Sequence, residues 1–273
     1  MIALLEPLFQ GDLAPHGEAL QCAPQPPADA LRVADLVHSP ELLGRVLRLH
    51  ASHRGVEGKD LRAVASAWSL DYLGLLLPPV AAAASVLQHG FPMAAHQVWV
   101  RLGPHAHPLS FHIRELGRPQ PGETTGARYA ALLRHHLAPL FSALCSLAGV
   151  PVKILWGNAA RSLEPVLDQA LALTGGATHT ADDRRRLLQI AEDRRLLLHT
   201  AAWPEGTPQG EAAWTNPLPG PQREIRVGGE GGEGGESGKD RARTVKLHRQ
   251  CCLFHLLPRE GYCGACPLSP AHR

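Results

Sequence analysis

The stretch RQCCLFHLLPREGYCGACPL near the end of the chain holds four of its six cysteines: Cys251, Cys252, Cys263 and Cys266. An adjacent pair is followed, after ten residues, by a C-x-x-C. Thiolates are soft ligands, and four in one short segment suit either zinc or an iron-sulfur cluster. Structural zinc ordinarily takes two C-x2-4-C knuckles, whereas neighbouring side chains in extended backbone point to opposite faces and converge on one ion only through a bend. A two-iron cluster relaxes that demand, because its two metals spread four ligand directions over a longer body. The spacing therefore favours 2Fe-2S and leaves zinc open. Unliganded thiols are disfavoured, since free cysteines rarely bunch without a metal or redox reason. A Rieske site is disfavoured too, because His248 and His255 lack its repeated Cys-x-His pairing. Backbone N–H groups of Gly261 and Gly264 are natural donors to the sulfurs.

With these residues the chain resembles the FhuF-like siderophore ferric-iron reductases. Their signature, a Cys-Cys pair and then a Cys-x-x-Cys-Pro, is matched by Cys251-Cys252-Leu253 and by Tyr262-Cys263-Gly264-Ala265-Cys266-Pro267-Leu268. Leu155-Trp156-Gly157-Asn158 is similar to the family's Trp-Gly-Asn element, so the likeness runs from about residue 40 to the end. The resemblance implies a 2Fe-2S cluster as cofactor, with Cys251, Cys252, Cys263 and Cys266 as its metal ligands. It further implies a ferric siderophore, of hydroxamate type for instance, as partner, and one-electron reduction of its Fe(III) to release Fe(II). No catalytic residue beyond the cluster is implied. The implied setting is cytoplasmic, with a peripheral place at the inner membrane left open. The Gly/Glu-rich GGEGGEGGESG departs from the compact family pattern. Two other readings stand beside this one. The first is a non-enzymatic binding or adaptor protein with a structural zinc site on the same four cysteines. The second is an enzyme of siderophore synthesis, disfavoured because the chain is short and carries no nucleotide motif. The same lack of a Gly-x-Gly-x-x-Gly or a P-loop leaves no built-in flavin, NAD or ATP site, so the electron donor is expected to be external.

Other reactive side chains have plainer readings. The Trp156-Gly157-Asn158 element reads as a turn that packs on the cysteine segment, because Trp buries a large area and Gly permits close approach. If instead it lines the substrate face, Trp156 and Asn158 are the substrate-binding candidates. His105, His107 and His112 form a weak metal candidate in a chain with 16 histidines. Of His135 and His136 only the second shares the apolar stripe of its helix, which suits a hydrogen-bonded core histidine. Cys22 and Cys145 lie apart from the cluster, and Cys145 reads as a small buried hydrophobe. Glu164 and Asp168 could pair as acid and base, and Arg184-Arg185-Arg186 and Arg194-Arg195 could steer an anion, but such charges usually mark solvated helix faces.

The elements that must position these groups read as an α+β fold: a mainly helical body, a small antiparallel β element and a C-terminal Cys-rich segment. Ser39, Pro40 and Glu41 are an N-cap, a first-turn proline and a first-turn acid. Leu61, Val64, Ala65, Trp68, Tyr72 and Leu75 follow at helical steps, with Pro78-Pro79 as the expected stop before a short Ala-rich helix ended by Gly90. Over residues 97–114 the period changes to two, through Val98, Val100, Leu102 and then Leu109, Phe111, Ile113, a hairpin pattern. Core helices are expected over about 126–148, with a kink at Pro139 and a stop at Gly149, and over about 181–199 behind an N-cap at Thr180. The first thirty residues read as an irregular lead-in. Residues 217–241 read as a mobile loop, because GGE repeats cannot offset their own ordering entropy. The expected divisions are a helical body (1–216), the Gly/Glu-rich loop (217–243) and an iron-sulfur segment (244–273).

Whole-chain numbers set the outer limits. At 273 residues and 44% hydrophobic content the chain can bury a sizeable core. A formal net charge of +2 argues against a dedicated nucleic-acid binder, which needs a strongly basic face. The opening MIALLEPLFQ lacks a basic start and carries Glu6 and Pro7, so no export signal is expected. The most apolar stretch, residues 70–95, is interrupted by Asp71, Pro78-Pro79, His89 and Pro92, so no transmembrane segment is expected.

Overall fold

The computed structural model describes residues 1–176, 180–203, 215–218, 220, 223–227 and 243–272. The GGE repeat lies outside the described residues. In chain order come α1 (Ala14–Glu18), β1 (Leu20–Cys22), β2 (Ala30–Arg32), α2 (Val33–His38), α3 (Pro40–His53), α4 (Arg62–Val86), β3 (His89–Gly90), β4 (Val98–Leu102), β5 (Pro108–Ile113) and β6 (Arg118–Pro119). Then follow α5 (Thr125–Leu132), α6 (Ala138–Ala148), α7 (Val152–Gly175), α8 (Ala181–His199), β7 (Arg223–Val227) and β8 (Arg243–Leu247). The α+β class is as the sequence reads.

Helix α4 is the spine. Its buried face continues straight through Pro78 and Pro79, both inside the helix, so the expected stop is absent. The two prolines forfeit hydrogen bonds to the preceding turn. Flanking turns that are almost wholly buried, from Val64 to Ser85, hold the helix together across that gap. By length and apolarity α4 could cross a membrane, yet most of it is buried inside the fold. Helix α7 packs along it, and α8 packs on α7.

The hairpin forms as read, with β4 and β5 antiparallel and Val100 opposite Phe111. Its sheet is larger than expected: the order is β1-β5-β4-β2, and β1 runs parallel to β5. Strand β1 and the buried side chains of Ile2, Leu5, Phe9 and Leu20 come from the supposed lead-in, and β2 starts at its last residue. Three-residue strands are too short for alternation to show in sequence.

The 126–148 pattern resolves into α5 and α6 joined by a π-helical turn, Leu133–Leu137, with Gly149 in the left-handed region at φ 69° as the stop. The π turn just before Pro139 takes up the missing N–H. Thr180 caps α8 in a full capping box with Asp183. That helix buries only Ile190, Asp193, Leu197 and Leu198, so it is a half-exposed cover rather than a core helix. Residues 223–227, expected as loop, form β7 against β8, which leads directly into the cysteine segment.

Candidate metal centre

The bend demanded by adjacent cysteines lies at Leu253, whose φ of 59° is left-handed. Its N–H donates to Cys251 Sγ at 3.3 Å. The turn at Leu253 thus brings an amide onto sulfur, the part expected of Gly261 and Gly264. Cys252 Sγ is 3.9 Å from Cys263 Sγ, and Cys251 lies close enough to Cys266 for the two thiols to interact. Cys252 and Cys266 are buried, while Cys251 and Cys263 are partly exposed.

The thiols are electrostatically unequal. Burial raises the Cys251 pKa, and the neighbouring Cys266 and Cys252 push the same way. Cys252 is lowered, first because the Cys263 thiol donates to it and also because the Arg161 guanidinium favours its thiolate. Cys263, which keeps that proton, is raised in turn. Burial lowers the neighbouring His248 to about 4, with Arg161 adding to the shift.

A scaffold on α4 and α7 fixes this segment from behind. Ser66 Oγ donates to the Cys252 carbonyl at 2.7 Å. Asn158 Nδ2 donates to Ser66 O at 3.1 Å, Ser66 Oγ at 3.0 Å and Ser69 Oγ at 2.9 Å. At Gly157 an added Cβ would sit 2.6 Å from Gln250 Cβ, so only glycine admits the segment this closely. One helical turn on, Arg161 Nη2 donates to Gln250 O at 2.7 Å.

Trp156-Gly157-Asn158 is thus mid-helix, not a turn. Glycine serves close approach there rather than a reversal, and the element packs on the cysteine segment as expected. Trp156 is buried edge-on to Phe141 and Asn158 is wholly buried. Ser66, Ser69, Arg161 and Gln250 escaped the sequence reading. The i, i+4 step from Gly157 to Arg161 would have exposed one of them had the element been read as helix.

The remaining candidates fall elsewhere. His136 is buried between Tyr72 OH (2.6 Å) and Met93 O (2.8 Å), a core histidine as read. His105 stacks on His53, and His112 bonds Ser110 Oγ within the sheet. Arg194 of α8 bridges to Asp168 and the buried Glu164 of α7, while Arg185 and Arg195 pair with Asp182 and Glu192 on the exposed face of α8. Cys145 is half-buried rather than buried, and Cys22 likewise; both stand apart from the four.

Among the described residues, no three His, Cys, Asp or Glu side chains converge tightly enough for one ion. The four thiols, one accepting an amide and one beside the Arg161 guanidinium, are a soft donor set of the kind that holds an iron-sulfur cluster.

A family model described as ferric iron reductase FhuF-like transporter matches residues 66–210. A second, described as FhuF 2Fe-2S C-terminal domain, matches residues 249–268 and spans all four cysteines. The first match begins later than the expected residue 40. No curated protein matches the chain. Among solved structures it is similar to aerobactin synthetase IucA of Klebsiella pneumoniae, with TM-score 0.50 and 12% identity over 69% of this chain and 37% of the synthetase. Aerobactin synthetase IucC of the same organism gives TM-score 0.46 and 11% identity over 71% of this chain and 36% of the synthetase. The chain thus spans little more than a third of these enzymes' length, and the likeness to IucA concerns the fold alone.

Proposed function

Because the chain belongs to the FhuF-like family, we propose that it is a 2Fe-2S ferric-siderophore reductase that releases Fe(II) from a siderophore-bound Fe(III). The observation that carries this reading is the four-thiol site itself: two buried and two partly exposed sulfurs in the segment matched by the 2Fe-2S domain model. Cys251, Cys252, Cys263 and Cys266 would hold the cluster, which when bound supplies electrons one at a time.

The chain's own residues provide position and charge. The Leu253 amide donates to Cys251 Sγ and favours its thiolate form. Arg161 keeps a positive charge beside Cys252 and ties down Gln250. Ser66 and Asn158 fix the Cys252 carbonyl from the core side. Partial exposure of Cys251 and Cys263 leaves one edge of the site open to a ferric complex. Hard oxygen donors hold Fe(III) far more tightly than Fe(II), so one electron weakens the chelate with no covalent bond broken. The reaction therefore needs no nucleophile or general base. The electron donor in this reading is a separate molecule.

Metal and sulfide analysis with a visible spectrum tests the cofactor. The reading expects a brown protein with two irons and two sulfides, diminished by Ser at any of the four cysteines and unaffected by Cys22→Ser or Cys145→Ser. A colourless protein with one zinc would overturn it in favour of a structural zinc module.

A further inference from the structure

A cavity of about 630 Å³ lies between α4, α7 and the N-terminal segment, bordered by the start of α8. Close-packed interiors leave few voids larger than a water molecule, whereas sites for small organic ligands run to about 300–1,000 Å³. From α4 come Gly74, Pro78, Ala82 and Val86, each four residues after the last and so on one stripe of the helix. Val166, Ala170 and Leu173 of α7 form a second wall, and Phe9 and Leu13 a third. Ser162, Gln169 and Thr174 are the uncharged polar members of this apolar lining. Leu173 is 61% exposed, so the cavity opens to solvent there. It shares no lining residue with the four cysteines or with the Ser66, Asn158 and Arg161 scaffold behind them.

Length and charge narrow the ligand. The α7 wall runs from Ser162 to Thr174, about 18 Å at the helical rise per residue. One lipid tail spans a similar depth, half of the hydrocarbon core of about 30 Å. Three titratable side chains border the cavity: His16, Asp183 and Arg186. Asp183 is engaged in the α8 capping box, where its carboxylate accepts from the Thr180 N–H at 3.1 Å and Oγ at 2.8 Å. Arg185 is taken by Asp182, but Arg186 is exposed and pairs with no carboxylate among the described residues. A Cβ on Gly175 would meet Leu187 at 3.9 Å, which sets the first turns of α8 against the end of α7 and places Arg186 at the Thr174 end of the cavity.

We propose that this cavity binds a long-chain aliphatic carboxylate, its chain laid along α4 and α7 and its head group at Arg186. The inference is independent of the reductase reading. Burial of the chain supplies the affinity, and the guanidinium selects the charged end.

The experiment titrates the full-length protein with cis-parinaric acid, whose fluorescence rises on leaving water, and then displaces that probe with hexadecanoate or hexadecanol. Saturable one-to-one binding is expected, with hexadecanoate the stronger competitor. An added Cβ at Gly74 meets nothing within 4 Å, so Gly74→Leu fills the cavity without a clash in α4. That variant should bind the probe at least tenfold more weakly and melt no lower than the parent, because leucine is the better helix former. Arg186→Glu should weaken hexadecanoate binding about fivefold, the scale of an exposed charge pair reversed, and leave hexadecanol unchanged. No saturable binding to the parent would overturn the site, as would unchanged binding in a folded Gly74→Leu variant. Equal affinity for the two competitors in the parent and in Arg186→Glu would overturn the ligand class. So would displacement of the probe by a ferric hydroxamate at lower concentration than hexadecanoate, which would assign the cavity to substrate.

Discussion

Replacing Asn158 by Leu should both destabilise the protein and loosen its hold on the metal centre. The side chain is wholly buried, and its amide donates to Ser66 O, Ser66 Oγ and Ser69 Oγ. Two hydrogens serve three acceptors, so the loss is two net hydrogen bonds, worth about 1 kcal/mol each. Ser66 O keeps the Ser69 hydroxyl as donor at 2.7 Å, which limits the further cost of an unpaired acceptor to about 1 kcal/mol. The Asn158 Oδ1 accepts from no protein group among the described residues, so its removal costs nothing. The sum is about 2 to 3 kcal/mol, or a fall in Tm of about 4 to 12 °C for a chain of this size. Freed of Asn158, Ser66 no longer has a fixed orientation for its bond to the Cys252 carbonyl, so iron should be lost faster to an added chelator. Asp at the same position should be worse than Leu, since it adds a buried charge and supplies no donor. Thermal melting by circular dichroism and the rate of iron loss to chelator together test this. A Leu variant that melts within a degree of the parent and keeps its iron equally long would refute the reasoning.

Two further outcomes follow from the scaffold and the core. Gly157→Ala would gain about 1 kcal/mol of helix propensity in open surroundings, but here its Cβ would press on Gln250 beside Cys251, so metal content should fall at least twofold while helical content stays. Equal metal content would show that the contact gives way freely. His136 is wholly buried and held neutral, its pKa lowered from 6.5 to about 4 chiefly by burial. The unfolded imidazole takes up its proton first, so this contribution is fully present above pH 6.5 and is lost as pH falls toward about 4, on the order of 3 kcal/mol. Urea midpoints at about pH 7.5 and about pH 5 should therefore differ less in His136→Gln than in the parent; equal differences would contradict the assignment.

The grouping of four cysteines at one place was legible because their spacing is a property of the chain itself. The caps of α3 and α8 were legible for a similar reason, since Ser39 and Thr180 act within one turn of their own helices. What escaped depended on distant partners. Nothing local to Pro78-Pro79 reveals that buried neighbours on both sides will carry α4 through. Gly157 reads as a turn residue until Gln250, far along the chain, is seen against it. Arg161 looks like any helix-surface arginine until its bond to Gln250 O sets it beside Cys252. The β1 and β2 strands exist only because β4 and β5 offer free edges to pair with.

The central claim is that this four-thiol site delivers an electron to siderophore-bound iron, and a single-turnover reaction tests it most directly. Protein reduced anaerobically and freed of reductant is mixed with a ferric hydroxamate in the presence of a ferrous-specific chelator. The account predicts reoxidation of the protein with about one Fe(II) trapped per cluster, the one-electron capacity of a 2Fe-2S centre, and no turnover from NADH or NADPH alone. A reduced protein that persists unchanged with several ferric siderophores of different ligand type would contradict it.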